Sequence, residues 1–142
     1  MASINEGGCL CGSVRYRVKG DPVLAAACHC RLCQLRTGSA FGIAVYFEAD
    51  RIEFTSGSLR PYKFRSDESG RWVQTEFCET CGTTLTWTAE FLPGHRAIAG
   101  GTFDDPNWVP IDRHVWTRSA HRWMVFPSDV TIFPTSSLKQ KS

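Results

Sequence analysis

Cys28-His29-Cys30-Arg31-Leu32-Cys33 puts three thiols into six consecutive residues. Cys30 and Cys33 are separated by two residues, a gap at which a tight turn aims two sulfurs at one point. Cys28 lies two positions upstream. Zinc, or another thiophilic metal, takes thiolates of this kind, and three protein donors leave one corner of a tetrahedron open. A closed structural site needs four donors. The stretch therefore predicts an open metal site and asks where a fourth ligand comes from. His29 is the adjacent candidate, but in extended chain its side chain points away from those of Cys28 and Cys30. It reads as a packed or supporting imidazole.

The other four cysteines fall into two pairs. Cys78-Glu79-Thr80-Cys81-Gly82 is a knuckle of the zinc-ribbon kind, in which Gly82 tolerates the positive φ that often follows the second thiol. Two thiols do not complete a site, and Cys9 with Cys11 can supply the second pair. That partition assigns all seven cysteines, four to a closed site and three to an open one. Another grouping, Cys28, Cys30 and Cys33 with Cys78, would leave Cys9, Cys11 and Cys81 as a less regular trio. A site built from Cys9, Cys11, Cys78 and Cys81 would tie together segments about 70 residues apart, a loop that is entropically costly to close. Metal binding would then be part of folding. An odd cysteine count argues against a disulfide framework. A redox role for Cys78 and Cys81 would call for a helix start in a βαβ unit, whereas both flanks read as strand.

Strand signals recur along the chain. Val14, Tyr16 and Val18 alternate with Arg15 and Arg17, the pattern of a half-buried strand. Val23 to Ala27, Phe41 to Phe47, Arg51 to Thr55, Leu59 to Phe64, Trp72 to Phe77, Thr83 to Thr88, Arg96 to Ala99 and His114 to Trp116 read as further strands. Polar and glycine-rich turns separate them. Arg31 to Arg36 fits a short helical turn stopped at Thr37-Gly38. A length of 142 residues with 42 % hydrophobic residues fits one globular domain, assigned to residues 1–135, with 136–142 a polar tail expected to fray. A formal charge of +2 is too balanced for a nucleic-acid or membrane surface. No apolar run reaches the roughly 18 residues of a membrane-spanning helix. Met1 to Gly8 lacks the basic and apolar regions of a secretion signal, so a cytoplasmic location is the expectation.

Taken together, Gly8-Cys9-Leu10-Cys11-Gly12-Ser13-Val14, the Cys28–Cys33 stretch with Thr37-Gly38, and Phe77-Cys78-Glu79-Thr80-Cys81-Gly82 resemble the glutathione-dependent formaldehyde-activating enzyme family, which also includes centromere protein V. Gly101-Thr102-Phe103-Asp104-Asp105-Pro106 and His114-Val115-Trp116 leading to Trp123 extend the resemblance over nearly the whole chain. Phe103 stands where the family often has leucine. The resemblance implies a mainly β, single-domain, zinc-containing β-tent, as in methionine sulfoxide reductase B-like folds, with few short helical turns. It implies a structural zinc on Cys9, Cys11, Cys78 and Cys81, and a second, labile zinc on Cys28, Cys30 and Cys33. It also implies a carbon–sulfur lyase or synthase that joins formaldehyde to glutathione as S-hydroxymethylglutathione.

The donor set bears on the chemistry independently. Three thiolates on a divalent zinc leave a net negative charge, so lowering the pKa of a bound water is harder than at a three-histidine site. A substrate thiol is the better fourth ligand, because sulfur suits a soft site and the thiolate is the nucleophile. The expected partners are a small thiol and a small carbonyl compound. Glutathione carries carboxylates, and Arg31 and Arg36, which flank the cluster, are the candidate substrate-binding cations. Asp104 and Asp105 read as turn formers before Pro106. His95, His114 and His121 are possible proton carriers, and the five tryptophans read as core or pocket wall. Two competing readings are a non-catalytic zinc-stabilised binding module and a thiol redox protein. The oligomeric state is not fixed by the sequence, and a homodimer is compatible with it.

Overall fold

Tyr16 and Val18 are buried and Arg17 and Lys19 are exposed, so strand β2 (Arg15–Lys19) carries the alternation of its sequence into one apolar and one solvated face. The structure is a computed structural model that describes residues 3–138. Strand β2 lies between β1 (Ile4–Gly8) and β5 (Ile52–Ser56) in an antiparallel three-stranded sheet. The remaining strands are β3 (Leu24–Cys28), β4 (Gly42–Glu48), β6 (Leu59–Arg65), β7 (Trp72–Cys78), β8 (Thr84–Ala89), β9 (His95–Ala99), β10 (Arg113–Val115) and β11 (Thr131–Ile132). They form an eight-stranded sheet in the order β11-β10-β3-β4-β9-β8-β7-β6. Pairing is antiparallel except where β10 runs parallel to β3 and to β11. Helix α1 (Arg31–Thr37) is the one α-helix among the described residues.

The core follows from β4. Val45 and Phe47 point toward the small sheet and pack with Tyr16, Val18, Leu85, Ile98 and Phe103. Ala44 and Tyr46 point to the opposite face and pack with Trp87 and Ala97. The large sheet is therefore covered on both sides around β3, β4 and β9, and these strands read as near-continuous apolar runs. Strand β3 is the clearest case: Ala25 to Cys28 are all buried. The fold is mainly β, a single small domain built of open sheets, as the sequence pattern led one to expect.

Two elements escape the sequence pattern. Strand β1 lies ahead of the first strand read from the sequence, because its ladder partner is the strongly patterned β2 and its own residues are mixed. Strand β11 lies beyond the last strand read from the sequence and is only two residues long. At the end of β10 the expected continuation into Trp116 fails, since Trp116 takes a left-handed conformation with φ of 57°. Of the expected polar tail 136–142, residues 139–142 lie outside the described residues. Ser136 to Leu138 are half-buried, and Ser137 accepts a hydrogen bond from the Arg113 guanidinium at 3.3 Å.

Gly7, in β1, forms a bridge to Phe103 in the turn that follows β9. A Cβ there would fall 2.3 Å from Tyr16 Oη and 2.4 Å from the Thr102 carbonyl oxygen, and the second of these is backbone that cannot swing aside. Tyr16 Oη in turn hydrogen-bonds Thr102 Oγ1 at 2.7 Å. Gly101, by contrast, has open space around its missing Cβ. Gly7→Ala is expected to lower stability by about 1–3 kcal/mol through overpacking. Gly101→Ala should stay within about 0.5 kcal/mol of the parent in the same thermal melts.

Candidate metal centres

Cys9 and Cys11 lie in the turn that joins β1 to β2, Cys78 ends β7, and Cys81 lies in the turn to β8. The four sulfurs lie within 4.8 Å of one another. Cys9 and Cys11 Sγ are 3.6 Å apart, and Cys11 and Cys78 Sγ are 3.8 Å apart. A tetrahedron with metal–sulfur bonds of about 2.3 Å has edges of about 3.8 Å, so the spacing fits zinc. Gly12 and Gly82 each follow their pair with φ of 81°, which lets the chain curl back and present amide N–H groups to sulfur. Val14 N donates to Cys9 Sγ at 3.3 Å, and Thr80 N and Cys81 N each donate to Cys78 Sγ at 3.4 Å. The Thr83 hydroxyl, 3.2 Å from Cys81 Sγ, heads the interactions that hold that thiol down at about 5. Ser13 Oγ lies 3.1 Å from Cys11 Sγ and 3.3 Å from Cys78 Sγ. These donors favour thiolates, the form a metal needs.

Cys28, Cys30 and Cys33 converge separately, with their sulfurs also within 4.8 Å. Cys28 ends β3. Cys30 caps α1, its sulfur accepting from Cys33 N at 3.4 Å, and Cys33 follows in the first helical turn. Hydrogen bonds from the Cys28 and Cys33 thiols pull Cys30 down to about 3, whereas hydrogen bonding to Cys30 pushes Cys28 far up. Neighbouring thiolates repel one another, so once Cys30 is ionised Cys28 and Cys33 give up their protons less readily. All three can ionise together only beside a cation, which is what a bound metal provides. Among the described residues no fourth His, Cys, Asp or Glu donor joins the group.

The surroundings are shaped for an anionic centre. Gly42 pairs with Cys28 across β3 and β4, and a Cβ on it would fall 2.3 Å from Arg36 Nη2 and 3.4 Å from Cys33 Cβ. The missing side chain makes room for the guanidinium beside the thiols. Arg36 stacks on Trp87, with Cζ 4.2 Å from the ring centroid, and its buried Nη2 has no hydrogen-bond partner. Trp87 is itself fixed by a 3.0 Å hydrogen bond from Nε1 to Tyr46 Oη. A half-buried guanidinium with one buried, unpartnered nitrogen beside the thiols fits a group that carries negative charge there. Arg36 and Gly42 also line an open cleft of about 440 Å³, closed on its other sides by Thr83, Thr84 and the Gly100–Thr102 turn.

Helix α1 separates the two arginines predicted for substrate. Arg36 stands beside the cysteines. Arg31 donates to Gln34 Oε1 at 3.2 Å and faces a different hollow, with Leu35, His121 and Trp123. His29 is 0 % exposed and turns away from the sulfurs, as alternation along an extended chain requires. Burial holds its imidazole near 4, hence neutral at ordinary pH. His95 meets the Pro93 carbonyl oxygen near the surface. Asp104 receives the guanidinium of Arg15 at 2.9 Å, and Asp105 accepts from Asn107 N in a short turn, so neither forms a carboxylate pair. Sequence reasoning did not find Ser13, Gln34 or Gly42, and it read Trp87 as core or pocket wall without coupling it to Arg36. Only the three-dimensional register brings Ser13 to the Cys78 sulfur, Gly42 and Trp87 to Arg36, and Gln34 to the Ser119 carbonyl.

A family model described as glutathione-dependent formaldehyde-activating enzyme matches residues 4–119. Among solved structures, a crystal structure of a Rhodobacter sphaeroides protein is similar, with a TM-score of 0.56 at 22 % identity, covering 70 % of this chain and 88 % of the other. At that identity the likeness concerns the fold.

The two clusters should respond differently to loss of a thiol. Cys78→Ser or Cys9→Ser is expected to abolish soluble folding, because each removes a donor from the group that joins the two sheets. Cys30→Ser should remain folded by circular dichroism and bind one zinc per chain by elemental analysis, against two for the parent.

Proposed function

The chain belongs to the glutathione-dependent formaldehyde-activating enzyme family, and on that premise we propose that it joins a small thiol such as glutathione to a small aldehyde, and runs the reverse cleavage, at the Cys28, Cys30 and Cys33 cluster. The supporting observation is the cluster itself: three convergent thiols without a fourth side-chain donor among the described residues, next to an arginine with a buried, unpartnered Nη2 and an open cleft. When held by these three thiolates, zinc supplies a soft position that favours a substrate thiol in its thiolate form.

The protein's own groups provide binding and orientation. Arg36, immobilised on Trp87, offers a planar fork for a carboxylate of the thiol substrate. Gly42 keeps the wall between that fork and the cysteines free of side-chain atoms. Gly101 also lines the cleft, and the open space around its missing side chain leaves room for a peptide-like thiol. In the forward direction the thiol gives its proton to solvent and a carbon–sulfur bond forms at the carbonyl carbon. The carbonyl π electrons move to oxygen, which takes a proton from water. No electrons leave the substrates, so the reaction needs no oxidant. Holding both reactants in one cleft is the main source of acceleration, since converting an encounter between two molecules into a local event can supply several kcal/mol. The role of Arg31 is weaker in this reading, because it faces the hollow on the far side of α1.

The test is a titration of the cobalt-loaded protein with glutathione. A sulfur-to-cobalt charge-transfer band that grows on addition, with a shell of three sulfurs becoming four by X-ray absorption, is expected at the second site only. No spectral response to any thiol would favour a zinc-stabilised binding module. A reversible Cys30–Cys33 disulfide with one tightly held metal would favour a redox protein. For the substrate contact, Arg36→Ala should raise KM for glutathione by about 10-fold or more, the loss of a charge-assisted pair. For a thiol lacking carboxylates, such as 2-mercaptoethanol, the same variant should change KM less than about twofold.

A further inference from the structure

His29 lies between two of the three proposed ligands, and its ring is locked on the side of the chain opposite to them. His29 Nε2 and His114 Nδ1 are 2.9 Å apart and share a hydrogen bond, and the two rings stack with centroids 5.1 Å apart. Phe41 and Phe126 close the cage, with centroids 5.2 and 5.4 Å from that of His29. The main chain is held as well: His29 N donates to the Val115 carbonyl at 3.0 Å, and Gln34 Nε2 donates to the His29 carbonyl at 3.0 Å and to the Ser119 carbonyl at 2.9 Å. Phe126 lies beyond residue 119, where the family match ends, so part of this cage is supplied from outside it.

We infer that the His29–His114 pair is a positioning device that fixes the splay of Cys28 and Cys30 and thereby sets the metal affinity of the three-cysteine site. Side chains alternate along extended chain, so fixing the ring of His29 on one face fixes the directions of Cys28 and Cys30 on the other. A phenyl ring would fill the same aromatic cage. It would also avoid the buried, unpartnered Nδ1 that His29 carries. What the imidazole adds is the hydrogen bond to His114, which fixes ring rotation where stacking alone allows it to slide. Strand β10, which carries His114, is hydrogen-bonded directly to β3 with His114 opposite Ala27, so the restraint runs from one sheet strand into the cysteine turn. This inference rests on the reading of Cys28, Cys30 and Cys33 as metal ligands.

The experiment compares zinc and cobalt binding at both sites in the parent, His114→Phe and His114→Asn. His114→Phe keeps the stack and removes the nitrogen, while His114→Asn keeps a hydrogen-bonding group near Nδ1. The expected result is a second-site Kd raised about 10- to 100-fold in His114→Phe, as for loss of an outer-layer hydrogen bond, with much of it restored in His114→Asn. The first site and the far-UV circular dichroism spectrum should stay as in the parent. Second-site binding by His114→Phe within twofold of the parent would overturn the inference. So would loss of both metals together in both variants, which would make the pair an element of the core. A parent protein that takes up only one metal ion would instead refute the underlying reading of the cluster.

Discussion

Four sulfurs meeting within 4.8 Å hold together parts of the chain that are 67 residues apart and belong to different sheets. Contacts alone would have to offset the entropy of closing that loop. The small sheet offers little surface for the purpose, since β1 and β5 are half solvated. The surrounding details follow from this junction. Gly12 and Gly82 curl the two turns toward one point, Ser13 and Thr83 lay hydroxyls against the sulfurs, and Gly7 lets Tyr16 close the seam beside them. With metal in place, assembly of the sheets and filling of the site are one event.

The second cluster has a different logic because it lies on the other side of the large sheet, at the end of β3 and the start of a single short helix. Nothing distant depends on it for its position. Its three thiols crowd one another so closely that they share a proton economy of their own, with Cys30 readily ionised and Cys28 reluctant. A positive charge is needed to ionise all of them, and Arg36 is a fixed one whose charge acts on Cys33. The guanidinium is kept there by stacking on Trp87 and by the absence of a side chain at Gly42, and it has a donor left over. An anchored cation with spare hydrogen-bonding capacity beside a soft donor set suits a ligand with both sulfur and carboxylate.

His29 illustrates how position overrides residue type. Imidazole is a common metal ligand, and this one stands between two cysteines. Extended geometry nevertheless turns it to the opposite face, where it is caged by Phe41, Phe126 and His114 and kept neutral by burial. The backbone that joins them links its position to the directions of the sulfurs.

The grouping of the seven cysteines was legible from spacing and count, because two-residue gaps and following glycines are local features that metal geometry demands. The alternating strand of Tyr16 and Val18, the apolar runs of β3 and β4, and the brief helix after Cys30 were legible for the same reason: each is a periodicity of neighbouring residues. The family likeness was carried by those same motifs. What the sequence alone could not assign were partners brought together by register. Gly42 opposite Cys28, Trp87 under Arg36, Ser13 against Cys78 and His114 against His29 are separated by between 14 and 85 residues, and no local pattern couples them. Tertiary structure also set Arg31 and Arg36 apart: five residues of helix, about 140° of rotation, put the first in the hollow with Leu35 and Trp123 and the second on Trp87 beside Gly42. Local chemistry determined which atoms can bind metal; sheet pairing determined what stands around them.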